Sequence, residues 1–83
     1  MPSFDEAVAA EYERIKQWPM RSNYEGLALI EEEFQDLQHA VFRCKDPPGY
    51  CPPVSQRDRE VHEVVRIAAR CKKFAVDVCR EKE

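Results

Sequence analysis

Residues 24–41 read YEGLALIEEEFQDLQHAV, and the spacing of their apolar side chains decides the fold. Leu27, Ile30, Phe34, Leu37 and Val41 recur at intervals of three and four, which places them on one side of an α-helix. Asn23 is a suitable cap for its start. The helix ends before Pro47-Pro48-Gly49, because residues 44–53 hold four prolines and one glycine and form a loop.

The same periodicity extends to both sides of this segment. Ser3, with Glu6 three residues later, is a capping box, and Phe4, Val8, Tyr12 and Ile15 follow as one apolar stripe. Pro19 ends that helix, with Trp18 closing the stripe. A third helix begins between Ser55 and Asp58 and runs almost to the end of the chain. Val61, Val64, Val65, Ala68, Cys71, Ala75, Val78 and Cys79 face one way, with Ile67, Ala69, Phe74 and Val76 widening the arc. A helix apolar over so much of its circumference packs on two sides, and in a chain this short the second side is expected to be another subunit. The fold expected is therefore all-α: one domain over residues 1–83, with three helices in an antiparallel bundle completed by dimerisation.

Bulk properties exclude several classes. A composition 43% hydrophobic and 35% charged, with two glycines, is that of a helical globular chain rather than a disordered one. At 83 residues a lone core is marginal. The formal net charge of −3 argues against a general nucleic-acid binder, although residues 57–80 are rich in Lys and Arg. No stretch is long and apolar enough to span a membrane, and the N-terminus lacks the basic and apolar regions of a signal peptide. A cytoplasmic protein with reduced cysteines is expected.

The chemistry concentrates in Glu32, Glu33 and Asp36. On a helical wheel Glu33 and Asp36 share an arc with Leu29 and Ala40, which breaks the separation of charge from apolar surface. Crowded, partly buried carboxylates are costly to ionise together, and a divalent cation relieves both problems. Mg²⁺ suits a few carboxylates plus water and phosphate oxygens. Glu60 and Glu63 on the third helix are one turn apart and could supply further ligands, as facing helices do in metal-binding bundles. The alternative is a solvated acidic face near a helix N-terminus, where negative charge is favourable.

Residues 24–37, YEGLALIEEEFQDL, resemble the first acidic helix of the MazG-like all-α NTP pyrophosphohydrolase superfamily, particularly its short phage-type members. Glu32, Glu33 and Asp36 match its two adjacent glutamates and the third acid three residues on, with Asp replacing the usual Glu. Residues 63–74, EVVRIAARCKKF, resemble the second family helix. Glu63 matches its glutamate, while Arg66 stands where the family has aspartate. The resemblance covers roughly residues 18–78. It implies Mg²⁺- or Mn²⁺-dependent hydrolysis of a (d)NTP to (d)NMP and pyrophosphate by a homodimer or homotetramer. Glu32, Glu33, Asp36 and Glu63 would be the catalytic ligands, Glu60 a substitute ligand, and Arg66 and Lys73 contacts to phosphate. An Arg cannot ligate a cation, so Arg66 equally fits a degenerate relative acting through a protein partner.

The remaining candidates read more plainly. Cys71 and Cys79 lie two turns apart, about 12 Å, too far to share an ion or a disulfide, and fit small buried thiols. Cys44 and Cys51 lack the tight spacing of zinc ligands. His39 and His62 each stand alone and read as surface residues. Trp18 and Tyr24 fit packing at a helix junction better than base stacking. Arg59, Arg66, Arg70 and Lys73 fall on the polar side of the third helix. No glycine-rich phosphate loop or nucleophile–base pair is present.

Overall fold

A computed structural model describes residues 3–42 and 55–82; the proline-rich loop, Cys44 and Cys51 lie outside them. The described residues form three helices: α1 (Phe4–Ile15), α2 (Asn23–Phe42) and α3 (Gln56–Asp77). The all-α expectation holds, α1 is capped by Ser3 as read, and α3 starts within the expected range, capped by Ser55. The Ser3 hydroxyl accepts from Glu6 N–H at 3.1 Å, and the Ser55 hydroxyl from Asp58 N–H at 3.0 Å. At α2 the cap is Ser22 instead of Asn23. Its hydroxyl accepts from Glu25 N–H at 3.1 Å and its carbonyl takes the first helical bond, from Gly26 N–H. Each such cap is worth about 1 kcal/mol.

α3 is the central element. α1 and α2 each pack on it, and among the described residues they do not pack on each other. α3 thus has two neighbours within its own chain. Tyr12, Ile15 and Ala69 form the core between α1 and α3, with Val8 and Val76 against it. The Lys72 ammonium sits 4.4 Å from the centroid of the Tyr12 ring. α2 approaches α3 through Gly26, where an added Cβ would lie 2.5 Å from the Phe74 ring and 3.1 Å from Met20 Sδ. At the other end of the contact the Gln56 side chain donates to the Ala40 carbonyl.

Part of the polar side of α3 turns inward. Lys73 is 1% exposed and donates to Asp77 Oδ2 at 2.6 Å and to the Lys16 carbonyl at 3.4 Å. Asp77 Oδ2 also accepts from Met20 N–H at 2.9 Å. One buried ion pair therefore ties the end of α3 to the α1–α2 connection. It also takes Lys73 away from any phosphate-binding role, because the ammonium is enclosed and already paired.

The apolar surface is incompletely covered. The molecule is elongated and thin, 48 × 27 × 15 Å along its principal axes. Leu27 and Phe34 on α2 and Val61 and Val64 on α3 remain exposed, as do Trp18 and Tyr24. Cys71 and Cys79 are exposed thiols, not buried ones, because neither α1 nor α2 covers that side of α3. No helix among the described residues is long and apolar enough to cross a membrane.

The Asp77 carboxyl titrates below its ordinary range. Burial pushes it up but is outweighed by the Lys73 hydrogen bond, the Met20 N–H and the Lys73 charge. A carboxyl lowered by folding contributes stability above its unfolded value, about 3.9, and that contribution fades as pH falls through the folded value. Thermal unfolding at several pH values should show Asp77→Asn well below wild type at pH 7, with the gap closing below about pH 4. A gap that stays constant with pH would remove Asp77 as a charged tie.

Candidate functional site

Midway along the α2–α3 contact the sequence places an acid where packing would favour an apolar residue. Glu33 is 4% exposed. It lies one heptad after Gly26 and one before Ala40, and all three are buried residues of α2, so its side chain is held against α3. Asp36, one turn on, is exposed, and Glu63 of α3 is half-buried. A carboxylate oxygen from each of Glu33, Asp36 and Glu63 lies within 4.8 Å of the others. Two helices thus bring three of the expected ligands together. The other two do not join them: Glu32 is exposed, and Glu60 Oε1 accepts from Gln56 Nε2 at 3.0 Å.

Arg66 reaches this cluster. Its Nη2 donates to Glu33 Oε1 at 3.0 Å, and Arg70 Nη2 lies 3.6 Å from the same oxygen. Wheel arithmetic put both arginines with the polar residues of α3, and the structure turns that polar side onto α2. Arg70 was not among the expected site residues. The available signal was its spacing, one turn after Arg66 and hence on the same face. Around these charges Glu11 and Arg14 of α1 form an ion pair at 2.6 Å. The Arg14 hydrogen bond lowers the Glu11 titration despite partial burial, helped by the charges of Arg14, Arg66 and Arg70. Glu11 raises Arg14 in return.

The cluster is not fully satisfied. Glu33 Oε2 and Glu63 Oε2 are buried and accept no hydrogen bond, and Arg66 Nε is buried and donates none. A buried oxygen in this state costs about 1–3 kcal/mol or more when charged. A divalent cation ligated by the carboxylates would satisfy the two oxygens, so the donor set fits a hard ion.

Beside the carboxylates is a partly open cavity of about 550 Å³, lined from α2 by Asp36 and His39 and from α3 by Asp58, His62 and Glu63 among others. The two histidines, which read as isolated surface residues, therefore border one space.

Comparison of the chain with family models, with curated proteins and with solved structures finds no match.

Because Glu33 is buried against two guanidiniums, removing it takes away the carboxylate closest to both. Glu33→Ala should lower the urea-unfolding free energy by about 3 kcal/mol. Combination with Arg66→Ala should cost less than the two single losses added together. Strict additivity would mean that the 3.0 Å contact contributes no coupling.

Proposed function

We propose that this chain is a MazG-like nucleotide pyrophosphohydrolase that hydrolyses a (d)NTP to (d)NMP and pyrophosphate using Mg²⁺ or Mn²⁺. One observation carries the proposal: Glu33, Asp36 and Glu63, from two helices, converge within 4.8 Å, and two of them hold buried oxygens that accept no hydrogen bond. The three carboxylates would hold the ion. A bound Mg²⁺ supplies charge neutralisation at phosphate oxygens and a more acidic water.

The chain's own residues set the charge balance. Three carboxylates against Arg66 and Arg70 leave one negative charge, and a divalent ion reverses that to one positive charge. The loaded site then favours an anion, and the guanidiniums are forked donors suited to phosphate. Ion and phosphate would therefore strengthen each other's binding. Arg66 Nε, buried without an acceptor, is a donor available for such an oxygen.

The Arg66 contact also favours a second reading. A guanidinium already occupies Glu33 Oε1, so the site can persist as an internal ion pair in a catalytically degenerate protein that acts through a protein partner. The two readings separate by calorimetry with Mg²⁺ or Mn²⁺, with and without pyrophosphate, and by an assay of pyrophosphate release from NTPs and dNTPs. The enzyme is expected to bind the cation, more tightly with pyrophosphate present, and to lose both binding and turnover in Glu33→Gln. Silence at millimolar cation in every condition would leave the interaction protein.

In the same proposal α2 and α3 run antiparallel, and a second copy completes the bundle in a cytoplasmic dimer. Leu27, Ile30, Phe34, Leu37 and Val41 on α2 and Val61, Val64, Ala68, Cys71 and Ala75 on α3 follow a strict three-four alternation, the spacing of a helix-packing seam. Leu27, Phe34, Val61, Val64 and Cys71 are exposed in the single chain. Sedimentation equilibrium should give a dimer for wild type and a shift toward monomer for Phe34→Glu. A wild-type monomer at high micromolar concentration would remove the second copy.

A further inference from the structure

Two apolar stripes lie on one side of the molecule. On α2, Leu27, Phe34 and Val41 each follow by one position a residue buried in the helix contact, Gly26, Glu33 and Ala40. That step turns the stripe about 100° away from α3. On α3, Val64 and Cys71 are exposed, and Cys71 is two residues, about 200°, past Ala69 of the α1 core. Gly26 meets Phe74, Glu33 meets Arg66 and Arg70, and the Ala40 carbonyl meets Gln56. Heights on the two helices thus run in opposite order, which brings both stripes to the side of the pair away from α1.

A two-helix layer can meet a second copy face to face about a two-fold axis in two ways. An axis across the helices stacks α2 on α2 and α3 on α3. An axis along the helices stacks each α2 on the other copy's α3. Charge separates the two. Residues 23–42 hold no Lys or Arg, and Glu25, Glu31, Glu32 and Asp36 are all exposed. α3 exposes Arg57 and Lys72 against Asp58. Stacking α2 on α2 doubles an uncompensated row of acids, and juxtaposed like charges disfavour a contact. Size points the same way: Leu27 and Phe34 are large, Ala68, Cys71 and Ala75 are small, and facing positions interdigitate best when large meets small.

We infer that a second copy of this chain docks with its α3 on α2 and its α2 on α3, about a two-fold axis along the helices. The inference rests on the dimer proposed above and adds to it which helices meet. Such an axis preserves height. Cys71 lies between Arg70 and Phe74, which meet Glu33 and Gly26, so Cys71 of one copy comes to the Leu27–Ile30 turn of the other. Asp36 is two residues, about 200°, past Phe34, so the cavity it lines faces away from the second copy and each chain keeps its own.

The test mixes two variants in urea, refolds them together and oxidises them in air. One carries Leu27→Cys with Cys44→Ser, Cys51→Ser, Cys71→Ser and Cys79→Ser. The other keeps Cys71 and carries Cys44→Ser, Cys51→Ser and Cys79→Ser. The mixed disulfide is expected to outweigh both self-linked dimers by mass spectrometry. Ile30→Cys takes the place of Leu27→Cys if circular dichroism shows the first variant to be unfolded. Self-linked dimers alone, or no linkage in a mixture that sediments as a dimer, overturn the pairing and leave the dimer standing. Wild type that sediments as a monomer overturns the dimer and the pairing with it.

Discussion

A carboxylate 4% exposed in the middle of α2 has to be matched by positive charge from somewhere, and much of the molecule is arranged around that requirement. Burying a charge without a partner costs several kcal/mol, far more than the ~1 kcal/mol of a helix cap. Arg66 and Arg70 meet the requirement from α3. Because they sit one turn apart, matching Glu33 also sets which face of α3 turns toward α2. The next turn of that face brings Lys73 inward, and Lys73 in turn requires Asp77. The helix contact is thus specified by a row of charges as much as by apolar packing. Gly26 permits its closest approach by adding no side chain where the Phe74 ring lies.

This arrangement explains why so much apolar surface stays outside. Domains ordinarily bury the apolar stripe of each helix against a second layer. Here a polar face of α3 is spent inward on Glu33 and Asp77, so part of its apolar arc turns to solvent with Val61, Val64 and Cys71. Leu27 and Phe34 are left out on α2 for the same reason. Among the described residues α2 packs on α3 alone, and polar pairing takes up part of that contact.

The helices were legible because their signals are local. Ser3 announces a start by its spacing from Glu6, and the three-four apolar rhythm reports the helical period. The convergence of Glu33, Asp36 and Glu63 was also legible, because two of those acids break the separation of polar from apolar faces. The inward turn of Arg66, Arg70 and Lys73 was not. A wheel sends charged residues to solvent, and the acids that hold these three inward are elsewhere in the sequence or one turn further along α3. The exposure of Trp18, Tyr24 and Cys71 was missed for the converse reason: apolar character predicts burial, but not whether a neighbour exists to provide it.

The same charges decide how an ion could enter. At an effective dielectric near 20, a unit charge about 3–4 Å from a carboxylate is worth about 4–5 kcal/mol, so Arg66 is a serious competitor for Glu33 Oε1. It holds one oxygen only. Glu33 Oε2 accepts no hydrogen bond, so the carboxylate keeps one oxygen that the guanidinium does not occupy. Arg66 then need not be an obstacle to occupancy. Its position at 3.0 Å from Oε1 holds the Glu33 side chain in place before any ion arrives, a task the aspartate of the resembled family could not perform.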